Sequence, residues 1–162
     1  MTTKFLKKSI LSLTLMTLPV ISFAATTGTL LLQGTIAQVL SISITPVSGV
    51  NNNLDLTSNA TNLVVGAVQE VSNSVTGYKI LLSSANAGKL NHASTSAFVS
   101  YTARYNGTAV TLSTTPQNIF NQSTAGAYNT SKNFDISYTG QAAANLVEGN
   151  YSDTLTFTIQ AN

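Results

Sequence analysis

Along the chain, apolar and polar residues alternate in short runs, and the runs are separated by clusters of glycine, asparagine, serine and proline. Successive side chains of a strand point to opposite faces, so such alternation predicts half-buried β-strands. Strands are predicted at Thr29–Val39, Leu40–Pro46, Leu63–Val71, Tyr78–Ser84, Phe98–Tyr105, Thr108–Thr114, Asn133–Thr139 and Tyr151–Gln160. No window keeps apolar residues at helical spacing over several turns. Asn51–Asn53, Asn73–Gly77, Ser84–Gly88, Pro116–Tyr128 and Gly140–Asn150 read as connections, with one helical turn expected in the alanine-rich Gln141–Asn145. The pattern predicts an all-β domain.

One hairpin can be read with its register. Asn106-Gly107 joins two alternating runs, and Asn-Gly favours a two-residue type I′ turn. Such a turn pairs Tyr105 with Thr108, Arg104 with Ala109, Ala103 with Val110, Thr102 with Thr111 and Tyr101 with Leu112. Val99, Tyr101, Ala103, Val110 and Leu112 then share an apolar face, which a slip of one residue would destroy.

Composition agrees with this picture and narrows it. The chain has 162 residues, of which only 7% are charged, and no cysteine. Disulfides, cysteine-based zinc sites and thiol nucleophiles are thereby excluded. From residue 25 onward there are 16 Ser, 20 Thr and 16 Asn, so hydroxyls and amides must form most of the polar surface. Threonine suits a pleated strand face, and asparagine suits turns. A chain of this length buries roughly two-thirds of its unfolded surface, which is enough for a core.

The basic character belongs to the first residues. Lys4, Lys7 and Lys8 precede an apolar run, MTTKFLKKSILSLTLMTLPVISFA, with Ser22 and Ala24 as the small residues before a cleavage point between Ala24 and Ala25. The run is shorter than the ~20 apolar residues of a membrane span and is broken by Pro19. It reads as a signal peptide, residues 1–24, on an exported protein. Beyond it, four basic residues face five acidic ones, so the sequence offers no basic surface for nucleic acid.

Candidate catalytic chemistry is sparse. His92 is the single histidine, in the polar stretch KLNHASTS, and reads as an exposed loop residue. There is no G-x-S-x-G elbow, no G-x-G-x-x-G and no P-loop. Glu148 and Asp153 bracket the start of the last strand, where a glycosidase pair is conceivable but a solvated pair flanking a turn is favoured. The expectation is a non-enzyme without metal or cofactor.

The two ends of the exported chain carry the distinctive pattern. In TGTLLLQGTIAQVL, Leu30, Leu32, Gly34 and Ile36 fall on one face of an extended strand, which runs into SISITP without a turn signal. Glycine inside a strand weakens it unless another group must approach closely. At the other end, Gly149 precedes a final alternating run with Tyr151, Leu155, Phe157, Ile159 and Ala161 on one face.

In these features the chain resembles the subunits of chaperone–usher pili (fimbriae), and its body resembles the archaic branch related to spore-coat protein U. The resemblance implies an incomplete immunoglobulin-like β-sandwich, residues 40–162, preceded by a donor-strand extension, residues 25–39. Leu30, Leu32, Gly34 and Ile36 would enter a neighbour's groove as a donated strand. The strand after Gly149, with Tyr151, Leu155, Phe157 and Ile159, would border the groove. Leu40 stands where many members have a cysteine. The implied partners are identical or related pilin subunits, a periplasmic chaperone and an outer-membrane usher, with neither nucleic acid nor a lipid anchor. The implied role is structural, in cell adhesion or biofilm formation at the cell surface. The alternative is a monomeric secreted β-sandwich that binds carbohydrate, in which the N-terminal strand pairs within its own domain.

Overall fold

The computed structural model describes residues 25–162; the expected signal peptide, with Ala24, lies outside them. The chain divides into an N-terminal unit that ends at Thr35 and a body, Ile36–Asn162. In the described part of the first unit there is no regular secondary structure, and Leu30, Leu31 and Leu32 are 83%, 81% and 84% exposed. The strand expected at Thr29–Val39 is therefore not formed. No ladder among the described residues includes this stretch, and a lone strand leaves both rows of its backbone groups unpaired.

The body is a β-sandwich. Its strands are β1 (Leu40–Pro46), β2 (Ala60–Ser72), β3 (Tyr78–Ser84), β4 (Lys89–His92), β5 (Phe98–Tyr105), β6 (Thr108–Val110), β7 (Gln117–Gln122), β8 (Tyr128–Tyr138), β9 (Tyr151–Ser152) and β10 (Leu155–Ala161). One antiparallel sheet runs β1-β2-β8-β5-β4-β9, with β6 also paired to β5, and the other runs β10-β3-β7. A short 3-10 turn, Ala143–Asn145, falls in the alanine-rich segment where one turn was expected.

Alternation builds the core directly. In β3, Tyr78, Ile80, Leu82 and Ser84 are buried while Lys79, Leu81 and Ser83 are less so. In β5 the buried set is Val99, Tyr101, Ala103 and Tyr105. These rows meet Val68 of β2, Phe134, Ile136 and Tyr138 of β8, and Phe157 of β10. The Phe134 and Phe157 rings meet edge to face, 5.2 Å apart, and join the two sheets. Each fully buried aliphatic such as Ile80 or Leu82 contributes roughly 1.5–3 kcal/mol.

The core also holds a charge. Glu70 of β2 has no exposed surface. Its carboxylate accepts hydrogen bonds from the hydroxyls of Tyr78 (2.7 Å), Tyr105 and Thr130 (3.3 Å), and Lys132 Nζ lies 2.7 Å away. The Lys132 ammonium also sits over the Phe120 ring. Burial, and then the Glu70 carboxylate, push the Tyr78 hydroxyl up to about 12, and the Tyr105 hydroxyl is raised by the same causes.

The hairpin register holds near its turn and fails beyond it. Asn106 and Gly107 have φ of 48° and 78°, and Tyr105–Thr108, Arg104–Ala109 and Ala103–Val110 are paired. Thr102–Thr111 and Tyr101–Leu112 are not paired, because β6 ends at Val110 and the Tyr101 N–H donates to Gly88 O instead. That edge of β5 is shared, with β4 taking Phe98, Val99 and Ser100. The expected single strand Tyr151–Gln160 is likewise two. Tyr151–Ser152 pairs with β4 in one sheet, and the chain crosses at Asp153–Thr154 so that Leu155–Ala161 pairs with β3 in the other.

Candidate functional site

Two sheet edges face each other without being joined. Among the described residues, β1 is paired only with β2, and β10 only with β3. Between them lies an apolar cleft of about 300 Å³, walled by Ile44, Pro46, Leu155 and Phe157 and floored by Leu90, Tyr101, Phe134 and Ile136. That volume is about ten water molecules' worth. Proteins usually protect exposed edges with charges, prolines inside the strand or bulges. β1 (LSISITP) and β10 (LTFTIQA) carry no charged residue, and their one proline, Pro46, closes β1 rather than interrupting it. Their inner faces are aliphatic and aromatic: Leu40 and Ile42 on one side, Leu155, Phe157 and Ile159 on the other, all half-buried.

One end of the cleft is braced by Asp153. Its carboxylate accepts from Ser84 Oγ (2.5 Å), Tyr101 OH (2.7 Å) and the backbone N–H groups of Asn86 (2.9 Å) and Thr154 (2.8 Å). Ser84 Oγ in turn accepts from the Gly88 N–H at 2.8 Å. The aspartate thus ties β3, β5 and the β9–β10 crossing together. Burial and then the Asp153 hydrogen bond raise the Tyr101 hydroxyl above its ordinary range. The expectation of a solvated Glu148–Asp153 pair is corrected here: Glu148 is exposed, whereas Asp153 is part-buried and its oxygens are occupied.

His92 is corrected too. It ends β4 rather than lying in a loop, because the polar stretch around it pairs with β5 and β9. Its Nδ1 accepts from the Ser94 N–H (3.1 Å), so Nε2 carries the hydrogen and donates to Glu148 O at 2.9 Å. The ring stands edge-on to Tyr151, 5.0 Å away. Gly149 lies against it with φ of 142°, and a Cβ there would overlap His92 Nε2. Only glycine fits that position.

No family model matches the chain, and no curated protein matches it at a significant level.

The residues expected from sequence fall into two groups. Leu155 and Phe157 line the cleft, and Ile159 lies on the same inner face of β10, beyond the cleft lining. Tyr151 stands apart from them in β9, its hydroxyl donating to Val147 O at 2.9 Å. Leu30, Leu32, Gly34 and Ile36 are in irregular, exposed chain, with Ile36 at 88% exposure, and Ala25 is exposed as well. Among the described residues, a Cβ at Gly34 would meet nothing within 4 Å.

Asn73 was not singled out by sequence. Its Nδ2 donates to Ala37 O (2.9 Å), its Oδ1 accepts from the Val39 N–H (2.6 Å), and its own N–H donates to Val39 O (3.1 Å). One side chain from the β2–β3 turn therefore fixes the segment that enters β1. The only signal was an asparagine in a turn, where its usual reading is local.

Proposed function

We propose that this protein is a structural subunit of a chaperone–usher type pilus, exported and assembled by donor-strand exchange into a surface fibre for adhesion or biofilm formation. On this reading the body is an incomplete immunoglobulin-like sandwich. The segment Leu30–Ile36 of the next copy enters as the missing strand, with Leu30, Leu32, Gly34 and Ile36 facing inward. A periplasmic chaperone holds the cleft before assembly, and an outer-membrane usher passes the subunits on. The role is structural, not catalytic.

The observation that carries the reading is the pair of facing, uncharged, unpaired edges of β1 and β10 over an apolar cleft. The same chain also has an exposed apolar stretch outside any strand. Strand addition uses such parts: main-chain hydrogen bonds give affinity, and alternate side chains in pockets give register. Lengths agree. Leu30–Ile36 spans seven residues, as β1 and β10 each do, and an extended run of that length reaches roughly 20 Å.

Gly34→Leu tests the reading. No described residue lies within 4 Å of a Cβ at Gly34, so the variant should keep the thermal stability of the parent. In a filled cleft the added side chain meets packed backbone and lifts the strand, so fibres should be absent. Retained fibres, or a destabilised subunit, would sink the proposal. Because the chain has no cysteine, the oligomer ladder on unheated denaturing gels should be insensitive to reducing agent.

A further inference from the structure

The apolar extension and the cleft belong to one chain, so a cleft has two competing donors. A segment tethered a few residues away meets it at an effective concentration on the order of millimolar, well above that of a neighbour in dilute solution. Its own extension therefore wins unless the chain is prevented from turning back. For Leu30–Ile36 to lie beside its own β1, the reversal would have to fall within Ala37–Val39, because Leu40 already pairs with Ser72. A parallel placement would need a crossover of about a dozen residues, which three cannot supply.

We infer that Asn73 is the residue that blocks this reversal and so reserves the extension for another copy. The inference rests on the donor-strand reading. Three residues suffice for a hairpin loop, but these three are held in line with β1. Val39 stands opposite Asn73, one step beyond the Leu40–Ser72 pair. Its N–H donates to Asn73 Oδ1 (2.6 Å), and its C=O accepts from the Asn73 N–H (3.1 Å). Both polar groups of Val39 thus face the β2 side, not the edge of β1 that borders the cleft. Two residues earlier, Ala37 O accepts from Asn73 Nδ2 at 2.9 Å.

The bracket therefore grips the first and the last residue of the loop that a reversal requires. The sequence gives no easier route. Ala37-Gln38 has no glycine or asparagine for a type I′ or II′ turn, and none of the three residues has a positive φ. A loop of all three residues remains, and it cannot form while Asn73 holds both of its ends.

The test compares the full exported chain, Ala25–Asn162, with its Asn73→Ala and Asn73→Asp variants, each refolded at micromolar concentration. Asn73→Ala removes both side-chain bonds, and Asn73→Asp removes only the donation to Ala37. The ratio of monomer to ladder should rise roughly tenfold to a hundredfold in Asn73→Ala, the effect of two net hydrogen bonds, and by less in Asn73→Asp. That monomer should melt above the parental monomer. It should also fail to take up a synthetic peptide of residues 25–37, which the parental monomer binds, because its cleft is already filled. A residue with a merely structural role would lower the melting temperature and leave peptide uptake unchanged. Ladders at the parental level, or a variant monomer that still binds the peptide, overturn the role of Asn73 while leaving strand donation standing. Should Asn73→Ala not fold, Asn73→Asp decides by the same two readings. A parent chain that neither oligomerises nor binds the peptide removes strand donation, and this role with it.

Discussion

At Glu70, a carboxylate with no exposed surface is met by two phenols, a threonine hydroxyl and an ammonium. At the cleft between β1 and β10, each backbone edge lacks a second strand, and Ile44, Pro46, Leu155 and Phe157 wall an open gap. Both interrupt the same core, and the difference follows from what each vacancy costs. A buried charge without partners costs several kcal/mol, so it must be satisfied within the chain. An open strand edge is solvated while water reaches it, so it costs little and can await a strand from outside. The first region is what the domain needs for itself, and the second is what, on the proposed reading, it offers.

Breaking that comparison should have its largest effect at the charge. Glu70→Ala leaves Lys132 buried without a counter-charge and should lower the unfolding free energy by about 3–5 kcal/mol, measured by denaturant titration. The double variant Glu70→Leu, Lys132→Leu should recover most of that loss. If Glu70→Ala is neutral, the two regions do not differ in the way argued.

On the other side of the comparison, Leu32→Ala should leave the single chain's melting temperature unchanged, since Leu32 is 84% exposed there. The same change should weaken capture by a neighbour by roughly 1.5–3 kcal/mol, read from the fraction of chain in the ladder against concentration. Gly149→Ala acts outside both regions, against His92 at the end of β4. It forces a Cβ onto His92 at a φ that favours glycine, and a loss of about 1–3 kcal/mol is expected in thermal unfolding.

The mildest probe is pH. The Tyr78 hydroxyl is raised from 10.0 to about 12, so the folded state holds that proton more tightly than the unfolded chain does. Its contribution to stability is complete below pH 10.0 and is lost as the pH rises through about 12. Tyr78→Phe should flatten the decline of the melting temperature in that window. An unchanged slope would mean that the Glu70 cluster does not couple to this proton.

The strands with clean alternation were legible to the residue: Leu40–Pro46, Tyr78–Ser84 and Phe98–Tyr105 begin and end where the pattern says. The strands that were missed have physical reasons. β7 carries a bulge, with Ile80 opposite Phe120 and Leu81 opposite Asn118, so Ile119 and Phe120 stand side by side and the alternation is broken. β4 has one buried residue, Leu90, among Lys89, Asn91 and His92, too little pattern to separate it from a loop. The apolar rows that line the cleft were visible, but the gap between β1 and β10 was not, because it depends on which strands pair across the two sheets. The Asn73 bracket and the Asp153 brace were hidden for a similar reason. Asn73 and Val39 are separated by 34 residues, and Asp153 and Ser84 by 69, with no local spacing to join them.

The ladder between β1 and β2 has a mechanical consequence. A pull on the N-terminal extension reaches the body first at the hydrogen bonds of Asn73 to Ala37 and Val39, then at Leu40. From there β1 is loaded lengthwise against β2 through its full register, Leu40 opposite Ser72 to Pro46 opposite Gly66. Force along paired strands shears the whole ladder at once, whereas force across them opens the bonds one after another. The tie of Asn73 to Ala37 and Val39 therefore passes tension into β1 along its length, the stronger of the two loading geometries.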